Sequence, residues 1–241
     1  SRLFMVTKIG CSYDGAASVR DSIKVLPERF ARTYGGGMFA EIRESLGGDA
    51  LARKLVQNLR SCNVIGTQNP TDPDKGIYQS ETGEITADIP QKTLTVTTPK
   101  LEGAILKKNR AVKLNAMTIS ECSVPASLTA IALDSAASLR ESRRILLIIA
   151  TMAVSEHTVF NNERFDVEID FGTFPLLWRS GQFALTLANG SKEAPSVYAL
   201  NLDGTRERKL DDAIFRDGKL SLAFDTSKFE FGTPFFEIVY P

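Results

Sequence analysis

A short segment rich in turn-forming residues separates two parts of this chain that have different apolar patterns. Residues 66–76 read GTQNPTDPDKG, and their two prolines, one asparagine, two aspartates and two glycines interrupt both helices and strands. Before this segment apolar residues recur with the helical period, and after it they alternate with polar residues in the strand period. The sequence therefore predicts two domains, residues 1–76 and residues 77–241.

The first domain is predicted to be a strand followed by helices. Leu3–Val6 is a short apolar run of the strand type, and Leu51, Leu55 and Leu59 form an apolar stripe on one face of a later helix. A lone strand and such a stripe leave backbone groups and an apolar face uncovered. We therefore expect residues 1–76 to dock on the second domain or on another chain.

The second domain is predicted to be built from many short strands. Apolar and polar residues alternate in runs that end at turn signals, which is typical of an antiparallel β-sandwich or barrel. The predicted strands are 92–97, 111–114, 127–133, 165–171, 183–187, 196–200, 220–224 and 235–240. Arg144–Val154 is apolar on both faces and is predicted to be a central strand buried on both sides. Hairpin-like turns are predicted at 188–191, 202–205 and 216–219.

Composition and charge exclude several classes of function. Lys plus Arg and Asp plus Glu each total 29, so the net charge is zero and no basic surface for nucleic acid is indicated. No apolar stretch reaches the roughly 18 residues that a membrane-spanning helix needs. With one histidine and three well-separated cysteines, the chain lacks the ligand pattern of a zinc site.

Several sequence blocks of the second domain stand in a characteristic order and spacing. They are TVTTPKLEG at 95–103, ALD at 132–134 with LRESRRILL at 139–147, FGTFPLL at 171–177, VYALNLDGTR at 197–206 and PFFEIV at 234–239. Together these blocks resemble the β-sandwich that follows the (β/α)8 barrel in many bacterial glycoside-hydrolase-like proteins. The resemblance covers residues 77–241.

The resemblance implies that the second domain is non-catalytic and packs against a barrel whose strand ends carry the catalytic carboxylates. It also implies a bacterial protein and a secreted or cell-envelope location. A complete barrel needs about 250 residues, so only the end of one could precede the sandwich here. The predicted fold is therefore mainly β, an antiparallel β-sandwich preceded by a short α/β segment that resembles the end of a (β/α)8 barrel.

A lysine stands where such barrels often carry a catalytic glutamate. In the family a late barrel strand often ends in Val-Thr-Glu, whereas here Val6 and Thr7 are followed by Lys8. A lysine cannot act as the carboxylate nucleophile of a glycosidase. The full-length protein resembles a glycoside hydrolase, but this lysine leaves a non-hydrolytic relative as the alternative.

Three acidic residues alternate along one predicted strand. Asp166, Glu168 and Asp170 share a face, and the apolar residues between them share the other. A solvated strand face is the first interpretation. The alternative is a site, either a carboxylate pair for glycoside hydrolysis or a Ca²⁺ site, and Ca²⁺ is the only cofactor that the sequence suggests.

The single tryptophan, Trp178, lies beside Arg179 after an apolar run. An exposed aromatic ring next to a polar group is a surface on which sugar rings stack. These two residues are therefore the candidate glycan-binding residues. The alternative is that Trp178 closes the sandwich core or an interface with the preceding segment.

Three further features have an ordinary interpretation beside a functional one. Arg140, Arg143 and Arg144 form a basic cluster that is either solvated between two strands or contacts a sulfated or acidic glycan. His157 is a structural or surface histidine unless a nucleophile and an orienting partner lie nearby. The Gly35–Gly37 loop before a predicted helix is either flexible or holds an anion on its backbone amides.

The leading functional hypothesis is a non-catalytic C-terminal portion of a bacterial glycan-degrading protein, acting as a scaffold or accessory module. The second is a carbohydrate-binding module. The third is a glycoside hydrolase that an upstream portion or a partner chain completes. The predicted partners are a glycan or polysaccharide, and either the upstream barrel portion or a partner chain.

Overall fold

The computed structural model describes residues 48–136, 138–162, 167–229 and 234–241. The chain divides into two compact units, Ser1–Thr95 and Val96–Pro241, which are considered in turn. The strand, the glycine-rich loop and the lysine singled out before residue 48 lie outside the described residues. The domain boundary after residue 76 and the barrel-like character of the first domain stay predictions.

The described part of the first unit begins with a helix, α1 (Gly48–Ser61). Val56 and Leu59 lie on one face of this helix and pack with Ile65 just beyond its end. The predicted helix is thus present, and one leucine of its predicted stripe, Leu59, is buried. The side chains of the other two leucines lie outside the described set.

Hydrogen bonds fasten the turn-rich segment to the first hairpin of the described residues. The hairpin consists of β1 (Ile77–Gln79) and β2 (Ile85–Asp88), which are antiparallel. Thr71 Oγ1 accepts the amide hydrogen of Gln79 at 2.9 Å and donates to the carbonyl of the same residue at 3.2 Å. Arg60 Nη2, from the last turn of α1, donates to the carbonyl of Thr71 at 2.7 Å. The segment is therefore an ordered part of the first unit.

Two antiparallel sheets form the main body of the second unit, which the chain enters within β3 (Thr93–Thr97). The first contains, in spatial order, β4 (Leu101–Leu106), β7 (Ala126–Ala132), β8 (Arg144–Ala150), β18 (Phe235–Val239), β14 (Ser196–Leu200) and β15 (Arg206–Leu210). The second contains β16 (Ile214–Arg216), β17 (Lys219–Asp225), β13 (Gln182–Ala188), β6 (Met117–Cys122) and β5 (Val112–Lys113). The prediction of a mainly β, antiparallel fold is confirmed, and the arrangement is consistent with a β-sandwich.

Side chains from alternate positions of both sheets fill one apolar core. The buried set includes Leu128, Ile145, Leu147, Ile149, Val197, Phe236 and Ile238 from the first sheet, and Met117, Ile119, Phe183, Leu185, Leu187, Leu220 and Leu222 from the second. The prediction that Arg144–Val154 is buried on both sides is wrong. The strand ends at Ala150, and Leu146 and Ile148 on its outer face are only half-buried, because the core lies on one side of the sheet.

A buried carboxylate joins the two sheets. Glu102 of β4 is 3% exposed, and its oxygens accept the amide hydrogen of Ala116 at 2.9 Å and that of Met117 at 2.8 Å. Met117 begins β6 in the opposite sheet. Because charge-assisted hydrogen bonds to backbone amides are directional, this contact fixes the position of one sheet relative to the other.

Two of the three predicted hairpin turns are confirmed. The turn at 202–205 joins β14 to β15, and the turn at 216–219 joins β16 to β17. In the second of these, Asp217 and Gly218 have φ values of 51° and 71°, as a type I′ turn requires. The third prediction, at 188–191, is wrong, because the chain leaves β13 in one sheet and continues to β14 in the other.

A second buried carboxylate lies on the outer face of the first sheet. Glu237 of β18 is 3% exposed and accepts hydrogen bonds from Nε of Arg144 at 2.5 Å and Nε of Arg206 at 2.7 Å. Burial alone would raise the pKa of Glu237, but the hydrogen bonds from Arg206 and Arg144 outweigh it and hold this pKa below its ordinary value of 4.5. The folded state therefore favours the ionised carboxylate.

Replacing Glu102 by alanine is expected to lower the free energy of unfolding by about 2–4 kcal/mol, because two buried amide groups lose their acceptor. The control is Glu121→Ala on the exposed face of β6, where a change within about 0.5 kcal/mol is expected. Urea unfolding followed by circular dichroism measures both. Equal, small changes in the two variants would contradict the role given to Glu102.

Acid is expected to remove the stability that Glu237 contributes. A carboxylate with a depressed folded-state pKa stabilises the fold above its ordinary value of 4.5 and loses this contribution as pH falls through the folded-state pKa. Glu237→Gln should therefore be less stable than the wild type at pH 7, and the difference should shrink between pH 4.5 and pH 2. Asp134 and Asp225, whose pKa values are also lowered, stay in both proteins, so the difference isolates Glu237. Parallel stability curves would contradict this expectation.

Candidate functional site

Between β8 and β13 the chain leaves both sheets and forms an arm, here residues 151–180. It contains β9 (Ala153–Glu156), β10 (Val159–Phe160), β11 (Glu168–Asp170) and β12 (Thr173–Trp178). β9 pairs with β12 and β10 pairs with β11, so the arm consists of small two-stranded sheets. Residues 163–166 of the arm lie outside the described residues.

The arm exposes an unusual amount of apolar surface. More than half of the large apolar side chains that are exposed in the described parts of the chain belong to it: Val159, Val167, Ile169, Phe171, Phe174, Leu176, Leu177 and Trp178. Phe174 is 87% exposed and Phe171 73%. Single exposed apolar residues are ordinary, but a contiguous set of this size is typical of an interaction surface.

Both faces of the β9–β12 ribbon carry this surface. Leu176 and Trp178 lie on one face, opposite the small residues Ser155 and Ala153 of the neighbouring strand. Leu177 lies on the other face and is also exposed, at 45%. A two-stranded ribbon is marginally stable by itself in water. A ribbon with exposed apolar side chains on both faces is therefore suited to bind another protein surface or a ligand.

A close backbone contact fixes the bend that begins β12. Gly172 has φ 65°, and a Cβ at this position would lie 2.1 Å from the carbonyl oxygen of Glu156. Only glycine fits such a position. Thr158 Oγ1 donates to the carbonyl of Ser155 at 2.7 Å and closes the turn that follows β9. The two ribbons of the arm are thereby held in one defined path.

The two candidate glycan-binding residues lie together at the base of the arm. Trp178 ends β12, is 39% exposed and lies outside the apolar core of the second unit. The neighbouring Arg179 is exposed, and its backbone amide donates to the carbonyl of Met152 at 2.9 Å. Both side chains are accessible from solvent, so a sugar could reach them. Glycan binding itself stays a prediction.

The acidic strand of the arm is exposed on both of its faces. Glu168 and Asp170 are exposed, but so are Val167, Ile169 and Phe171, so the prediction of a half-buried strand is wrong here. The reason is that β11 pairs only with the short β10 and does not lie on the core. Asp170 Oδ1 accepts the amide hydrogen of the glycine that begins the bend, at 2.9 Å.

Asp166, the third acidic residue of this strand, lies outside the described residues. Among the described residues no group of three or more His, Cys, Asp or Glu side chains could hold a metal ion. The Ca²⁺ site that includes Asp166 therefore stays a prediction. Within the same described ranges, no helix is long and apolar enough to cross a bilayer.

The remaining candidates are spread over different places. His157 is exposed at φ 66° in the turn after β9. The basic cluster is divided, because Arg144 is engaged by Glu237 whereas Arg140 and Arg143 belong to the loop before β8. The guanidinium of Arg140 donates to the carbonyl of Asn115.

Sequence reasoning missed the exposed apolar residues of β12, above all Phe174 and Leu176. The signal was the run FPLLW at 174–178, in which apolar residues follow one another without the period of a strand or a helix. Such a run places apolar side chains on both faces of a strand.

Comparison with known proteins provides no relative for the chain. A scan against protein-family models and searches of curated proteins and of solved structures found no match. The chemistry of the arm and of the other described surfaces is therefore the basis for inferring function.

The double variant Phe174→Ser/Leu176→Ser is expected to bind an apolar dye such as bis-ANS at least twofold more weakly, since it removes exposed apolar surface. Its free energy of unfolding should stay within about 0.5 kcal/mol per substitution of the wild type, because neither side chain is in the core. The control is Leu202→Ser, which removes a 73% exposed leucine outside the arm. A loss of several kcal/mol in the double variant, or equal dye binding by all proteins, would contradict the arm as an exposed apolar surface.

Proposed function

We propose that this chain is a non-catalytic C-terminal portion of a bacterial glycan-degrading, glycoside-hydrolase-like protein, in which it acts as a scaffold or accessory module. The observation that carries the proposal is the arm, whose apolar side chains are exposed on both faces of a two-stranded ribbon. In this function the arm packs against the upstream barrel portion or a partner chain.

The free energy available from covering the arm supports this function. Full burial of one large apolar side chain contributes about 1.5–3 kcal/mol, so a few of the arm residues suffice to hold two bodies together. Phe171, Phe174 and Trp178 are the aromatic members, and aromatic residues dominate the energetics of interfaces. A scaffold module needs such a surface, whereas an isolated soluble domain does not.

The state of the buried carboxylates supports a non-catalytic function. Glycoside hydrolysis needs two carboxyl groups about 5–10 Å apart, one of them a general acid with a raised pKa. Glu102 is occupied by two backbone amides, and Glu237 is held by two arginines with its pKa lowered. Each is thus used to stabilise the fold, and the lowered pKa of Glu237 is the opposite of what a general acid needs.

A carbohydrate-binding module is the second candidate, and the place of Trp178 favours it. Trp178 shares one face of the ribbon with Leu176, lies opposite the small Ala153 and is 39% exposed. Arg179 directly follows and can donate hydrogen bonds to sugar hydroxyl groups. In this function the arm is covered by a sugar chain.

The isolated chain is expected to hydrolyse no aryl-glycoside or polysaccharide, and reducing-end assays over a panel of substrates measure this. Turnover that disappears in Glu168→Ala or Asp170→Ala would contradict the proposal and favour a hydrolase.

Fluorescence separates the two candidates, because Trp178 is the only tryptophan. A polysaccharide that shifts its emission, and that Trp178→Ala binds at least tenfold more weakly in affinity electrophoresis, identifies a carbohydrate-binding module. Leu202→Ala is the control. The accessory function predicts no shift with any member of the panel.

A further inference from the structure

A cleft of about 420 Å³ opens at the surface of the second unit, and none of the residues that line it belongs to the arm. Two loops form it, residues 140–143 before β8 and residues 189–193 after β13, together with Tyr240 at the end of β18. Its size falls within the range of sites for small ligands, roughly 300–1,000 Å³.

Buried hydrogen bonds hold the two loops together before any ligand is present. Asn189 is 7% exposed, and its Nδ2 donates to the carbonyls of Leu139 at 3.1 Å and Ser142 at 2.9 Å. The amide of Gly190 donates to the carbonyl of Arg140 at 2.7 Å. A site whose walls are fixed in this way does not have to order them when a ligand binds.

The charged groups of the cleft have no ionic partners of their own. Arg140, Arg143 and Lys192 line it, as do Glu141 and Glu193, and none of the five forms an ion pair within the described part of the chain. The guanidinium of Arg140 donates to the carbonyl of Asn115, so Arg143 and Lys192 are the cations that are available to a ligand. Cations are in excess, so the cleft favours a ligand with negative charge.

We propose that the cleft binds an oxyanion carried on a saccharide, either a sulfate ester or the carboxylate of a uronic acid. Arg143 and Lys192 face the negative oxygens. The saccharide part of this inference rests on the proposed glycan-related function, and the oxyanion part rests on the cleft alone.

The two carboxylates of the cleft support a saccharide over a dense polyanion. Glu141 and Glu193 would repel a chain that carries a charge at every unit, such as a nucleic acid. The same carboxylates accept hydrogen bonds from the hydroxyl groups of a sugar. A ligand with one anionic group and several hydroxyls therefore matches both signs of charge.

Calorimetric titration of the whole chain tests the inference with matched probes. They are N-acetylglucosamine 6-sulfate and galacturonic acid, their uncharged counterparts N-acetylglucosamine and galactose, and sodium sulfate alone. At least one charged saccharide is expected to bind ten times more tightly than its uncharged counterpart and than inorganic sulfate. Affinity for it should fall as salt is added.

Two variants locate the site. Arg143→Gln and Lys192→Gln should each weaken binding of the charged saccharide at least fivefold, whereas the control Lys107→Gln, an exposed lysine outside the cleft, should not.

Each other outcome overturns part of the inference in a distinguishable way. Equal binding of charged and uncharged saccharides, or unchanged affinity in Arg143→Gln and Lys192→Gln, overturns the oxyanion site. Binding of sodium sulfate as tight as that of the charged saccharide overturns the saccharide and leaves a site for an inorganic ion. Because Trp178 is not in the cleft, loss of polysaccharide binding in Trp178→Ala bears on the proposed function only.

Discussion

The contact of Glu102 with two backbone amides is the interaction on which the second unit depends most. Apolar contacts between sheets are non-directional, so many relative positions of two sheets would bury similar areas. The carboxylate selects one of them, because it must face the amides of Ala116 and Met117 to be satisfied.

The residues just before β6 extend this constraint to the cleft. The carbonyl of Ala116 accepts the amide hydrogen of Ala188, and the carbonyl of Asn115 accepts a guanidinium hydrogen of Arg140. Both walls of the cleft are thus hydrogen-bonded to the same two residues, Asn115 and Ala116, which directly precede β6.

The parts of the fold that the sequence predicts are those in which local pattern and final environment agree. The strands β13, β14 and β17 alternate in sequence and have one buried face, and Asp217 with Gly218 forms the type I′ turn that this pair of residues favours. The turn at Asn189 has the same local chemistry. Its amide side chain finds acceptors about fifty positions earlier in the chain, at Leu139 and Ser142, and no local pattern shows such a contact. For this reason the sequence at 188–191 could not distinguish a connection between the two sheets from a hairpin turn within one sheet.

The candidate sites also divide into residues that the local sequence predicts and residues that only the folded structure brings together. Trp178 and Arg179 were predicted from their residue types, and both are accessible, because β12 pairs only with β9 and lies outside the apolar core. Lys192 and Tyr240 were not found, since each is ordinary in its own sequence neighbourhood. Their importance comes from the third dimension, where the loop after β13 and the end of β18 meet the loop before β8. The basic cluster of three arginines was a partial signal, and the structure assigns one of them, Arg144, to Glu237 instead.

The two surfaces differ in the kind of contact that they can make, and this difference bears on how such a module would work. The arm exposes eight large apolar side chains, so it suits a broad contact whose strength comes from burial. The cleft is small, polar and pre-formed, so it suits recognition of one chemical group. A module that held its protein together through the arm would leave the cleft free, because the two draw on different residues. Structural attachment and recognition of a charged sugar could then occur together, and a substitution in one surface would leave the other unchanged.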